Sequence, residues 1–106
     1  MRRGEVWWVN LDPAIGGEIK KTRPAVILSN DAANAAQNRV QVVPCSTSVQ
    51  HIYPWEAPVS VGGHSSKAMA DQIRTVAEVR LTRRIGAVTP VELAAIESAV
   101  RLQLGL

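Results

Sequence analysis

A near-continuous apolar run, Pro24-Ala25-Val26-Ile27-Leu28, entered through Arg23 and closed by Ser29-Asn30-Asp31, constrains this chain more than any other stretch. Apolar residues without alternation suit a strand buried on both faces, and Pro24 is tolerated at its head because the first amide of a strand need not pair. A second apolar run, Val40 to Cys45, ends in the hydroxyl cluster Ser46-Thr47-Ser48. The first strand therefore carries a guanidinium at one end, and the second carries hydroxyls. Those groups on rigid supports are what an enzyme without a metal needs to hold a phosphodiester.

At 106 residues the chain is expected to form one domain, residues 1–106, with room for a single core. Twelve Lys and Arg against nine Asp and Glu give a formal charge of +3, and nine of the twelve are Arg, whose planar fork suits phosphate. That balance favours a polyanionic partner. The lone Cys45 excludes an internal disulfide, and no Cys and His spacing resembles a zinc site. No metal or cofactor is expected. The start, Arg2-Arg3-Gly4, leads straight into a strand pattern, and no stretch approaches the ~20 apolar residues of a membrane span. The chain is expected to be cytoplasmic and complete.

Glu5 to Leu11 is expected to be a strand stopped by Asp12-Pro13, and Gly16-Gly17-Glu18 to be a polar loop. Asn30 and its neighbours can cap a short helical turn through Ala32, Ala33, Ala35 and Ala36. Val40 to Cys45 and Pro54 to Val61 are the third and fourth strands. Gly62-Gly63-His64-Ser65-Ser66 is expected as a loop, and Ala68 to Val76 as a return to the sheet. Glu78 to Ile85 is ambiguous between helical turn and strand. Near the end, Thr89, Pro90 and Glu92 form an N-cap, a first-turn proline and a capping box. Leu93, Ile96, Val100 and Leu104 then recur at helical spacing, with Glu92, Glu97 and Arg101 left for solvent, over roughly four turns. Short strands and one terminal helix argue for an α+β fold built on a small, curved antiparallel sheet or barrel.

Five segments in order resemble one family: Arg3-Gly4-Glu5-Val6-Trp7-Trp8-Val9-Asn10-Leu11-Asp12-Pro13; Gly16-Gly17-Glu18; Arg23-Pro24-Ala25-Val26-Ile27-Leu28-Ser29-Asn30; Val43-Pro44-Cys45-Ser46-Thr47; and Asp71-Gln72-Ile73-Arg74-Thr75. They are similar to the MazF/PemK toxins over nearly the whole chain. The resemblance implies an SH3-like barrel of the MazF/CcdB kind with a C-terminal amphipathic helix. It further implies a homodimer that cleaves single-stranded RNA without a metal, sequence-specifically, to a 2′,3′-cyclic phosphate and a 5′-hydroxyl. The partner it implies is a cognate antitoxin with an acidic, disordered tail. Arg23 falls on the family's catalytic arginine. The family's catalytic threonine falls on Ser46, with Thr47 one position later, so either hydroxyl is a candidate. Glu18 is a candidate for positioning RNA or accepting a proton, and Lys20, Lys21, Asn30, Ser48 and Gln72 are candidates for binding RNA.

Each residue also has a plainer reading. Arg23 can pair with Glu18 or Asp71, and Ser46, Thr47 and Ser48 can be turn residues bonded to their own backbone. His51 and His64 suggest a two-histidine ribonuclease, but both lie in loop-like stretches and match no family position. Cys45 suits a small apolar filler. Trp7 and Trp8 alternate, so one faces the core and the other a surface; that ring or Trp55 is placed to stack a base or to line a dimer interface. The competing function is a non-enzymatic module of the same fold that poisons gyrase or binds nucleic acid or peptide.

Overall fold

The structure, a computed structural model, describes residues 1–13, 15–18 and 21–106. Among the described residues seven strands and two α-helices follow in the order β1 (Glu5–Asn10), β2 (Thr22–Ile27), α1 (Asp31–Ala36), β3 (Arg39–Ser46), β4 (Glu56–Val61), β5 (His64–Met69), β6 (Arg74–Ala77), β7 (Leu81–Ala87) and α2 (Pro90–Leu104). The strands form one antiparallel sheet in the order β4-β5-β3-β2-β1-β7, with β6 also on β3. The long strand β3 makes the sheet curl. Its first half pairs with β6 (Val40 opposite Val76), and its end pairs with β5 (Cys45 opposite Ala68, Ser46 opposite Lys67). The result is a curled half-barrel closed by a C-terminal helix, the α+β architecture expected.

Alternation along β2 and β3 divides the core in two. Val26 and Val43 point to one side, with Val6, Cys45, Ala57, Val59, Ala68 and the α2 residues Ile96, Ala99 and Val100. Ala25, Ile27, Val40 and Val42 point to the other, with Val9, Leu11, Val76 and Leu81. The run Pro24–Leu28 is thus covered on both faces, as its lack of alternation requires.

The caps form as the sequence expects. Asn30 Oδ1 accepts the Ala33 amide at 2.8 Å at the start of α1, and Thr89 and Glu92 exchange side-chain-to-amide bonds of 3.1 and 2.8 Å at the start of α2. Two expectations for α2 fail. The last turn is exposed, with Leu104 at 53%, because the surface the helix covers ends at Val100. Glu92 and Glu97 are half-buried and bonded, the first accepting the Ser60 amide at 2.7 Å and the second pairing with Arg3.

The expected loop at Gly62–Ser66 is also corrected. Gly62 and Gly63, with φ of 57° and 82°, make a two-residue turn, and His64 already pairs with Val61. Two consecutive positive φ values match the twist of a hairpin, which glycine supplies without strain. The return at Ala68–Val76 comes in two pieces, β5 and β6, separated by a 3₁₀ turn at Ala70–Gln72. The ambiguous Glu78–Ile85 segment contains both alternatives, a 3₁₀ turn at Glu78–Arg80 followed by β7.

Candidate active site

The entry of β2 and the exit of β3 lie side by side, since these strands run antiparallel with Ala25 opposite Pro44. That arrangement brings the guanidinium-bearing end of one strand to the hydroxyl-bearing end of the other. A cavity of about 240 Å³ opens there, lined by Trp8, Lys21, Thr22, Arg23, Pro24, Cys45, Ser46, Thr47 and Ser66. Arg23, Ser46, Thr47 and Lys21, four residues singled out in the sequence, therefore share one cleft.

Local structure fixes the parts. Lys21 takes a left-handed backbone, φ 70°, held by its amide on Asp12 Oδ1 at 2.8 Å and its carbonyl on the Leu11 amide at 2.9 Å. This turn delivers the chain into β2 with Arg23 half-buried at its mouth. At the exit of β3, Ser46 Oγ accepts the Ser48 amide at 3.1 Å. This is the plain turn bond expected of such a cluster, and it has a chemical consequence: the backbone occupies one acceptor position of Ser46, leaving its O–H to donate elsewhere. Thr47, next along, is exposed.

The remaining candidates are placed elsewhere. Asn30 spends its side chain on capping α1. Glu18 Oε1 accepts the Ile15 amide at 2.7 Å and closes the tip of the β1–β2 loop. Gln72 Nε2 reaches Gly17 O at 3.4 Å, tying that loop to the 3₁₀ turn. Ser48 is exposed beside the cleft and contributes its amide to Ser46. Lys20 lies outside the described residues. His51 and His64 are exposed and line no part of the cavity.

Three further points concern groups the sequence left open. Trp8 lines the cleft, whereas Trp7 packs on the second core and donates Nε1 to Glu5 Oε1 at 3.1 Å, so the outward ring of the pair is Trp8. Burial, with the nearby Glu92 charge, pushes the Cys45 thiol up to about 12, which makes Cys45 a protonated filler at neutral pH and no nucleophile. Ser66 was missed. It is a serine in a polar segment, and only the pairing of β5 with β3 brings it to the cleft. Among the described residues no group of three His, Cys, Asp or Glu side chains is placed to hold a metal, and no helix is long and apolar enough to cross a membrane.

A curled half-barrel with a C-terminal helix, and a cleft lined by Lys21, Arg23 and hydroxyl side chains at two adjoining strand ends, make this a small α+β protein of the half-barrel class. Residues 2–104 match the family described as PemK-like, MazF-like toxin of type II toxin–antitoxin system. The endoribonuclease MazF9 of Mycobacterium tuberculosis is 44% identical over 115 residues, covering 100% of this chain and 98% of the relative. The crystal structure of MazF from Deinococcus radiodurans superposes with a TM-score of 0.88 at 26% identity, covering 100% of this chain and 97% of that one. An endoribonuclease in complex with its cognate antitoxin, from a mycobacterial species, superposes with a TM-score of 0.83 at 27% identity, covering 100% and 96%. This chain belongs to the PemK/MazF toxin family.

Proposed function

We propose that this chain is the toxin of a toxin–antitoxin pair and acts as a sequence-specific endoribonuclease on single-stranded RNA in the cytoplasm. The observation that carries the reading is the convergence of Arg23, Ser46 and Thr47 on one cavity at the ends of β2 and β3. RNA brings its own nucleophile, the 2′-hydroxyl. The enzyme has to hold the phosphate in line, stabilise the charge that develops on it and manage protons at two oxygens. Attack of the 2′-oxygen on phosphorus, its proton passing to solvent, forms the cyclic 2′,3′-phosphate and breaks the bond to the 5′-oxygen, which takes up a proton and leaves as a hydroxyl.

Arg23 is assigned to the non-bridging oxygens and to the leaving oxygen, because a guanidinium is a fork of donors and a poor base. Ser46 is assigned as a donor to the phosphate, since the Ser48 amide already fills one of its acceptor positions. Lys21 adds charge at the same mouth. The groove is completed by a second copy in a homodimer and is blocked by the acidic tail of a cognate antitoxin, which the positive charge attracts as it attracts RNA. The cognate-antitoxin complex of the mycobacterial relative supports such a partner.

The purified chain is expected to cut single-stranded RNA in the presence of a chelator, as the arginine clamp needs no metal. Ser46→Ala is expected to lower kcat by about 100-fold, the usual effect of removing one donor to a developing oxyanion. Thr47→Ala should cost less than Ser46→Ala, because Thr47 lines the same cavity but is exposed to solvent, where a donor gains less. Equal losses would assign the phosphate to both hydroxyls, and no loss for either would remove them from the reaction.

A further inference from the structure

The phosphate cleft is not isolated: Ser66 lines it and also lines a second cavity, of about 430 Å³, walled by the β3–β4 connection, β4, β5 and the start of α2. The walls of this second cavity include Val49, Ile52 and Val59, and its polar groups include Ser65 and the carboxylate of Glu92. We propose that this cavity receives a nucleobase of the RNA strand next to the scissile phosphate, with Ser66 at the junction, and that it favours a base bearing an exocyclic amino group. The proposal rests on the endoribonuclease reading and names the part of the site that selects sequence.

Three observations support this occupant. The cavity is within the ~300–1,000 Å³ range of small-ligand sites and combines apolar walls with a few polar groups, the pattern that suits a flat heterocycle. Ser66 is 4% exposed, and its hydroxyl takes part in no hydrogen bond among the described residues, so it is available to a nucleotide spanning both cavities. Glu92 sets the chemistry. Its Oε1 accepts from the Thr89 amide and its Oε2 from the Ser60 amide, at 2.8 and 2.7 Å, which fixes the carboxylate while leaving each oxygen a further lone pair.

A fixed carboxylate repels phosphate and an acidic peptide, and it accepts from amino groups such as cytosine N4. Adenine, cytosine and guanine carry such a group, and uracil does not. RNA is recognised through bases splayed out of a single strand, so a side cavity joined to the phosphate site is where a flanking base can go.

The test uses the full chain and a set of single-stranded RNAs that differ only in the nucleotides on either side of the cut. Wild type is expected to prefer A, C or G over U by about tenfold in kcat/KM at one flanking position, the discrimination typical of direct base contacts. Ser65→Trp fills the cavity from an exposed position, and Ser66→Ala removes the junction hydroxyl. Both should flatten that preference while leaving preferences at other positions in place. An unchanged preference in both variants overturns the proposal, as does a uniform loss on every sequence. Sedimentation is run on the same samples, and a dimer that dissociates on Ser65→Trp would assign the cavity to a subunit interface and overturn it as well. The two readings separate cleanly: a wild type that cuts no RNA removes the nuclease itself, whereas cleavage with preferences untouched by the variants removes only the base site.

Discussion

Arg23→Ala is expected to abolish RNA cleavage, with a loss in kcat/KM of about 1,000-fold or more, the scale on which a single arginine acts at a transferring phosphoryl group. The cause is geometric. Arg23 is the guanidinium of the cleft, held at the head of β2 beside Ser46 and Thr47, and Lys21 at the same mouth supplies only a point charge. Arg23→Lys should therefore fail nearly as badly, since an ammonium cannot grip two phosphate oxygens through a planar fork. The fold should persist in both variants, because residue 23 is half-buried at the edge of the core and Ala25–Ile27 supply the packing of the strand. Rates on a single-stranded RNA, measured beside far-ultraviolet circular dichroism, check this. A variant that is folded and fully active would remove Arg23 from the chemistry.

The second large effect concerns stability. Lys67 and Glu56 form an ion pair at 3.0 Å with side chains only 10% and 6% exposed. Lys67 Nζ also donates to His51 O at 2.9 Å, and Glu56 Oε1 accepts the Tyr53 amide at 2.9 Å. Tyr53 in turn stacks on Trp55 with ring centroids 4.9 Å apart. These bonds fasten the long β3–β4 connection, which begins at Thr47, to the strand facing Ser46. Lys67→Met leaves Glu56 charged, buried and unpaired, and is expected to cost about 3–5 kcal/mol. For a chain of this size that lowers Tm by roughly 10 °C or more. Adding Glu56→Gln keeps an acceptor for the Tyr53 amide and removes the stranded charge, so the double variant should recover most of the loss. Thermal and urea unfolding read the effect directly. A single variant that costs under about 1 kcal/mol would mean that water reaches the pair and screens it.

What the sequence discloses of this protein, and what it withholds, follows the range of the interactions. The double-faced burial of β2, the cap at Asn30 and the capping box at Thr89 and Glu92 depend on neighbours within a few residues, and all are legible. Arg23 and the Ser46-Thr47 pair are legible for a similar reason, as each is a polar group at the end of an apolar run. The resemblance to the toxin family then indicated that the two ends belong together.

Long-range pairing is what remained hidden. Gly62-Gly63-His64-Ser65-Ser66 looks like loop because it is polar and glycine-rich, yet its two glycines make a turn that folds His64–Ser66 onto β4, and Lys67 comes to lie opposite Ser46. Burial of Lys67 and of Ser66 has no local signature. Helical spacing likewise gave Leu104 to the core, but periodicity says nothing of where the sheet beneath a helix stops. Asn30 and Glu18 stood out as candidates through family-like motifs, while their side chains close a helix end and a loop tip.

In the proposed reaction the RNA attacks itself while Arg23 and Ser46 hold the phosphate. One substrate tests that directly: the preferred single-stranded RNA with a single 2′-deoxy sugar on the 5′ side of the scissile phosphate. The substitution removes the nucleophile and leaves the phosphate, its charge and the bases unchanged. The expected result is binding close to that of the all-RNA strand with no cleavage, while the all-RNA strand is cut to a 2′,3′-cyclic phosphate and a 5′-hydroxyl. Cleavage of the deoxy substrate at the same bond would contradict it.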